Sequence, residues 1–427
     1  MKDERSTMEE LKQKEERLIT FMAQKKKYKE QEARESLEEL EELIQTAGGQ
    51  VVCEVLQRVD TINPGYYIGT GKVEELRVLI QTHQATGVVC DDELSPVQMR
   101  NLAEALNTKV MDRTMIILDI FAQRARSKEG KLQVEIAQLR YQYSRLGGYG
   151  QMLSRQGGQI GSRGPGEKKL ELDKRYIRTR IEQLQSEIEE VERHRELIRN
   201  RRKKNNIPVV AIVGYTNAGK STLLNTLSGS DVYAENQLFA TLDPTARAVT
   251  LPSGTEIMLT DTVGFIRKLP HHLVKAFYST LEEAKYADII LHVMDASSEY
   301  LTTHTEVVYA TLDKLEIKDM PMISVYNKID RVTEPYPKVE GAEYEVEISA
   351  QTGQNTEALL HILEDILYEE MKAFEVLLPY TAPDVLAFCH QHAERLEEVY
   401  LNEGVALKGY LHKDKYYKIK EFMKEAL

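Results

Sequence analysis

Residues 214–221 read Gly214-Tyr215-Thr216-Asn217-Ala218-Gly219-Lys220-Ser221, after the apolar run Val209–Val213 and before Thr222–Leu227, which continues as a helix. A strand, a glycine-bearing loop and a helix N-terminus in that order aim backbone N–H groups and the helix dipole at a phosphate chain. Lys220 is expected to neutralise the β- and γ-phosphates, and the Ser221 hydroxyl to hold Mg²⁺. The apolar strand Ile257–Leu259 runs into Asp261-Thr262-Val263-Gly264, where the carboxylate can hold Mg²⁺ through water and the Gly264 amide can meet the γ-phosphate. Between these lies Phe239-Ala240-Thr241-Leu242-Asp243-Pro244-Thr245. One hydroxyl of this stretch should complete the magnesium shell only when the γ-phosphate is present; Thr241 and Thr245 both qualify, and spacing does not choose between them. Ile323–Tyr326 leads to Asn327-Lys328-Ile329-Asp330. The Asp330 carboxylate can accept from the ring N–H and the exocyclic amine of guanine, a donor pair that adenine lacks, so losing it is costly. Asn327 is expected to tie this loop to the phosphate loop, the Lys328 stem to cover the base, and Ser349-Ala350 to add a backbone N–H to the guanine oxygen. The chemistry is hydrolysis of a guanine nucleoside triphosphate, with Lys220, Gly264 and whichever of Thr241 and Thr245 holds the magnesium nearest the transferred phosphoryl group.

The elements that must position these residues form an α/β fold class: a P-loop GTPase domain over 206–373, a mostly parallel sheet flanked by helices. A small α/β subdomain (48–126) and a long antiparallel helical hairpin (127–205) precede it, and a small α+β segment (374–427) follows. Residues 1–47 are charged and helix-favouring, which predicts a partly disordered helical leader. In the subdomain, Gln50–Val59 reads as a strand, Gly71–Ile80 as a helix and Gly87–Cys90 as a buried strand. Ser95-Pro96 supplies an N-cap and first-turn proline for a helix to Leu106. Alternating strands and helices predict a small parallel sheet. Two stripes at four-three spacing follow: Leu132, Ile136, Leu139, Tyr143, Leu146 and Ile177, Ile181, Leu184, Ile188, Val191. Such seams zip together as an antiparallel pair. The second helix, about Leu170–Lys204, would be roughly 50 Å long and would project. Its connection, Gly147–Gly166, holds eight glycines in twenty residues with Arg155, Gln156, Gln159 and Arg163 interspersed. Loops longer than about 12–15 residues are usually functional or disordered, and a basic glycine-rich tip suits close approach to RNA phosphates and bases.

Charge points the same way. The chain of 427 residues has a net charge of −12. Residues 121–205 contain 21 Lys/Arg and 11 Asp/Glu, a local +10 that leaves −22 for the remainder. One basic segment on an acidic protein is the charge map of a directed polyanion contact. No apolar stretch approaches membrane-spanning length and the amino terminus lacks a signal region, which argues against a membrane partner. Cys53, Cys90 and Cys389 are far apart in apolar runs and read as buried thiols in a reducing cytoplasm. Phe265 directly follows Gly264, where common small GTPases place a water-orienting glutamine. Slow intrinsic hydrolysis is therefore expected, with the missing element supplied by a partner or another loop; His271 and His272 are the nearby alternatives.

Further strings resemble the HflX family of ribosome-associated GTPases: Gly69-Thr70-Gly71-Lys72-Val73-Glu74-Glu75-Leu76, Asp112-Arg113-Thr114, Leu118-Asp119-Ile120-Phe121-Ala122-Gln123-Arg124-Ala125, Ser154-Arg155-Gln156-Gly157-Gly158, Gly164-Pro165-Gly166-Glu167 and the stretch Phe239–Thr245. The resemblance runs from about residue 36 to the end. It implies a GTP-binding protein that docks on the large ribosomal subunit and its rRNA, splits ribosomes under stress, and hydrolyses GTP on ribosome stimulation. It further implies Thr241 as the magnesium threonine. Lys168 and Gln351 depart from the family pattern without touching the nucleotide residues. Some family members bind ATP through the first domain, but Gly69–Lys72 lacks phosphate-loop spacing. The expected partner set is ribosomal RNA without DNA, and the expected state a cytoplasmic monomer. The competing expectation is a nucleotide-gated ribosome- or RNA-binding factor in which hydrolysis only recycles the protein.

Overall fold

The computed structural model describes residues 16–27, 30–153, 165–204, 207–229, 238–239, 241–242, 244–268, 283–317, 320–339, 342–369 and 371–423. The chain divides into two compact units. The first comprises 1–191 together with 235–243 and 263–281; the second comprises 192–234, 244–262 and 282–427. The two segments of the first unit that come from within 206–373 carry Thr241 and Gly264.

The first unit is built on a parallel sheet of β1 (Glu16–Lys25), β2 (Gly49–Val59), β3 (Gly87–Cys90) and β4 (Lys109–Asp112) in the order β2-β1-β3-β4. The expected helical leader is corrected here. Residues 16–25 form a central strand, because Leu18, Ile19, Phe21, Met22 and Ala23 are a nearly unbroken apolar run buried on both faces of a parallel sheet. Only α1 (Glu30–Thr46) is helical; it buries Leu37, Leu40, Leu43 and Ile44, and residues 1–15 lie outside the described residues. The order predicts helices on both faces. α1 and α4 (Arg113–Arg124) pack with Leu18, Val89 and Met111, while α2 (Thr70–His83) and α3 (Pro96–Leu106) pack with Ile19, Phe21 and Val88. The α3 start has the expected Ser95 N-cap and first-turn Pro96, and the structure adds a capping box: Gln98 N–H donates to Ser95 Oγ and Ser95 N–H to Gln98 Oε1.

The hairpin is α5 (Lys128–Leu153) and α6 (Pro165–Lys204). Leu132, Ile136 and Leu139 meet Ile181, Leu184 and Ile188, as the stripes predict. Both helices extend further toward the tip than the glycine content suggests, so 147–153 and 165–166 are helical and the connection shortens to 154–164. Arg155, Gln156 and Arg163 lie outside the described residues. The 40 residues of α6 span roughly 60 Å at ~1.5 Å each.

This unit also holds a buried ionic cluster at the carboxyl ends of β3 and β4. Arg113, 1 % exposed, pairs with Asp91 at 2.7 Å and with Glu39. Lys268 pairs with Asp91 and, at 2.7 Å, with Asp92, and Arg267 meets Glu35 at 2.5 Å. Asp112 accepts from Tyr141 Oη at 2.9 Å and from Arg145 at 2.6 Å. Beside the cluster, Leu238, Phe239, Leu242, Val263 and Ile266 share one core with Phe121 and Ile117, and Phe239 sets its ring edge-to-face on Phe121 with centroids 4.7 Å apart.

The second unit carries a six-stranded sheet, β10-β9-β8-β5-β7-β6: β5 (Val209–Gly214), β6 (Thr245–Thr250), β7 (Glu256–Asp261), β8 (Ile289–Asp295), β9 (Met322–Asn327) and β10 (Tyr344–Glu347). All pairs are parallel except β6 with β7. Helices α7 (Lys220–Ser228), α8 (Leu301–Lys314) and α9 (Thr356–Glu369) accompany it. The C-terminal segment is an antiparallel sheet of β11 (Met371–Leu378), β12 (Glu394–Leu401) and β13 (Gly404–His412), with β13 central, and α10 (Pro383–His392). It buries its own core of Phe374, Val376, Cys389, Leu407 and Leu411. Cys90 and Cys389 are buried thiols and Cys53 is half-buried. Among the described residues no helix is long and apolar enough to cross a membrane.

Removing one partner from a buried ion pair strands the other, which costs about 3–5 kcal/mol. Arg113→Ala should therefore lower unfolding stability by about that amount in urea titration. Burial opposes the Asp91 charge, but Arg113 and Lys268 outweigh it and hold its carboxyl below the ordinary value of 3.8. A depressed carboxylate stabilises the fold above its unfolded pKa and loses that contribution as pH falls through the folded one. Acid unfolding should steepen below pH ~4, and Asp91→Asn should flatten that limb.

Candidate functional site

β5 ends at Gly214, where only glycine fits: a Cβ would overlap the Val293 carbonyl oxygen on the neighbouring strand. The chain then turns through Asn217 (φ 60°) and Gly219 (φ 95°), both left-handed, into α7. Asparagine tolerates that region and glycine favours it. Lys220 is buried and folds back over the loop, donating to the carbonyls of Gly214 (3.1 Å) and Tyr215 (2.7 Å). Burial lowers its pKa to about 8, with Asp261 opposing and Lys328 assisting. A buried ammonium with two neutral carbonyl partners is an anion site in waiting. The Thr216 hydroxyl beside it is buried with no hydrogen-bond partner among the described residues.

Ser221 Oγ donates to Asp261 Oδ2 at 2.6 Å, so the two expected magnesium-side oxygens converge. Thr262 is locked to the phosphate-loop strand, its hydroxyl donating to the Ile212 carbonyl at 2.8 Å. Thr245 is the first residue of β6, paired across from Asp261. Thr241, Leu242, Phe239, Val263 and Gly264 belong to the first unit, and Ala240, Asp243, His271 and His272 fall outside the described residues. Phe265 is buried.

The base end is tied together by one side chain. Asn327, 2 % exposed, donates from Nδ2 to the Ala218 carbonyl at 2.9 Å and accepts at Oδ1 from the Ala350 N–H at 2.9 Å. The first bond is the expected tie to the phosphate loop. The second is a difference: the Ala350 N–H expected at the guanine oxygen is engaged by Asn327, whose buried Oδ1 needs a donor. Thr226 of α7 closes the circuit by donating to the Ala350 carbonyl at 2.6 Å. Lys328 takes a left-handed turn (φ 65°) and pairs with Asp295 at 2.7 Å, so its stem is held across the end of β8. Asp330 sits in the short turn Ile329–Arg331, its side chain 26% exposed and its carboxylate 4.0 Å from the Arg331 guanidinium.

With this geometry in view, comparison with known proteins is decisive. Residues 34–122 match the family described as GTP-binding GTPase N-terminal, 124–202 its middle region, and 209–328 the family described as 50S ribosome-binding GTPase. The GTPase HflX of Lacrimispora saccharolytica is 53% identical over 383 residues, covering 90% of this chain and 90% of the relative. That of Caldanaerobacter subterraneus is 52% identical over 378 residues, 88% of each chain. That of Escherichia coli is 44% identical over 349 residues, covering 81% of this chain and 82% of the relative.

The chain belongs to the HflX family of GTPases.

Sequence reasoning missed three groups in this HflX chain. Arg267 and Lys268 follow the Gly264 motif closely but have acidic partners 177 residues away for Lys268 and Asp91, which no local pattern signals. His292 of β8 is fully buried next to Lys220; burial and that lysine lower its pKa to about 3, so it is neutral. Its one signal was a histidine inside a buried strand. His304 of α8, outside every motif, stacks on Tyr215. Asp330→Asn should raise the affinity for xanthosine over guanosine diphosphate by at least about tenfold, measured by displacement of a fluorescent nucleotide. Unchanged guanosine preference would remove Asp330 from base recognition.

Proposed function

We propose that this HflX GTPase binds GTP·Mg²⁺ through the residues above and grips the large ribosomal subunit through its helical arm, splitting or rescuing ribosomes under stress. Residues 214–222 cradle the phosphates, with Lys220 at their negative charge. Ser221 and Thr241 hold Mg²⁺ directly and Asp261 through water, a set of hard oxygen donors suited to that ion; bound Mg²⁺ would neutralise charge on the β- and γ-phosphates. Phe239–Asp243 and Thr262–Gly264 flank the γ-phosphate, Gly264 through its amide. Asn327, Lys328, Asp330, Ser349 and Ala350 frame the base, Ala350 now through Asn327.

The observation that carries the ribosomal reading is the arm. On α6, the exposed side chains of Leu172 and Tyr176 (64% and 72%) alternate with exposed Arg175 and Arg178 within the +10 segment. Exposed aromatic and aliphatic side chains among arginines offer stacking surfaces and phosphate contacts together, which is how single-stranded and looped RNA is held. The match of 209–328 to a ribosome-binding family agrees with it.

Buried Phe265 favours one refinement. With no hydrogen-bonding side chain at the position after Gly264, hydrolysis is slow until the ribosome supplies the missing group, so the GTP-bound state does the splitting and hydrolysis recycles the protein. A non-hydrolysable analogue should then support splitting in a single round and block a second.

Co-sedimentation with purified large subunits tests the whole reading: strong pelleting with GTP, weak with GDP or no nucleotide. Doubling the salt should weaken the GTP-state affinity by about tenfold or more. Deleting 154–164 should spare GTP binding and abolish pelleting. A deletion that pellets like the full chain would reduce the tip to a linker.

A further inference from the structure

Tyr215, second residue of the phosphate loop, is 5 % exposed. Its ring lies flat against the His304 imidazole, with centroids 3.8 Å apart and planes within 10°. No nucleotide motif includes His304. It stands one turn into α8, and the ring of Tyr300 lies 6.1 Å from it, tilted by 58°. The helix beneath is firmly seated: Leu301, Thr305, Val308 and Leu312 are buried, and the Thr305 hydroxyl donates to the Leu301 carbonyl at 2.8 Å. The stack therefore joins a well-seated helix to a loop that turns through left-handed Asn217 and Gly219.

What the stack holds is specific. The Tyr215 carbonyl accepts from Lys220 Nζ at 2.7 Å and from the Ala218 N–H at 3.3 Å. Those two bonds curl the loop and set the lysine. Holding the Tyr215 ring by stacking restricts how far its backbone can swing, which favours keeping its carbonyl on the ammonium before nucleotide arrives. Such preorganisation strengthens binding by lowering the cost of ordering.

We propose that His304 is a positioning residue for the nucleotide: its imidazole acts as a flat support that clamps Tyr215 and thereby orients Lys220. This rests on the reading that residues 214–221 hold the phosphates, and Lys220→Ala checks that reading separately. His304 touches no phosphate and moves no proton. A planar phenyl ring should replace it, and an alanine should not.

The test is fluorescent GDP and GTP binding to the full chain, with dissociation rates, for H304A, H304F, Y215A and the double variant H304A/Y215A. An aromatic pair of this kind contributes enough to change affinity by about three- to tenfold. H304A should weaken GDP and GTP binding equally by that factor, through faster dissociation. H304F should return to within about twofold of the parent, and the double variant should be no weaker than Y215A. Parent-like binding by H304A overturns the proposal, as do equal losses in H304F and H304A, or losses that multiply in the double variant. Should H304A unfold, H304F against H304L gives the same decision, with leucine weak and phenylalanine restored. If K220A binds nucleotide normally, the phosphate-loop reading fails instead, whatever His304 does.

Discussion

One buried amide organises the nucleotide end of this protein. Asn327 reaches from the end of β9 to the Ala218 carbonyl in the phosphate loop and accepts from the Ala350 amide in the loop after β10. Three loops from three separate strands are thereby fixed to one another by two hydrogen bonds of a single side chain. The reach is possible only because Gly219 has no side chain; a Cβ there would overlap the Asn327 nitrogen. A buried amide left unpaired costs about 1–3 kcal/mol, so the three loops have a shared reason to keep this arrangement. Phosphate recognition and base recognition are in consequence one structure. The loop that carries Asp330 and the loop that carries Lys220 cannot drift independently.

The first unit depends on a different kind of contact. Its core encloses Arg113, Asp91 and Asp112, each almost fully buried. Buried ion pairs are weak sources of stability, because desolvation offsets the attraction. What they do supply is direction, since each charge must find its partner. Lys268 and Arg267 are drawn into this acidic cluster, and Phe239, Leu242 and Ile266 into the adjoining apolar core. The segments that carry Thr241 and Gly264 are thus members of the arm-bearing unit.

The nucleotide motifs were legible in the sequence because each is local: a strand end, a turn and a helix start within about ten residues, where glycine and lysine have few alternative uses. The hairpin was legible for the same reason, its four-three stripes meeting as Leu132, Ile136 and Leu139 against Ile181, Leu184 and Ile188. Residues 16–25 were not, since a short apolar run without alternation next to charged helix formers reads as either state, and its partner strands begin more than twenty residues later. Asp91, Arg113 and Lys268 were invisible as a cluster because their separation exceeds any sequence period. Arg113 stood in a recognisable string, yet the string did not reveal that it is a buried core residue. The Tyr215–His304 stack joins a motif residue to an unmarked one, and only the fold brings them together.

The central claim is that Asn327 holds the phosphate and base loops as one preorganised site. Its most direct measurement is nucleotide affinity of Asn327→Ala, with the melting transition followed in parallel. A loss of about tenfold or more for GTP and GDP alike, in a protein that still melts cooperatively, is the predicted result. Affinity for both nucleotides within twofold of the parent would contradict it.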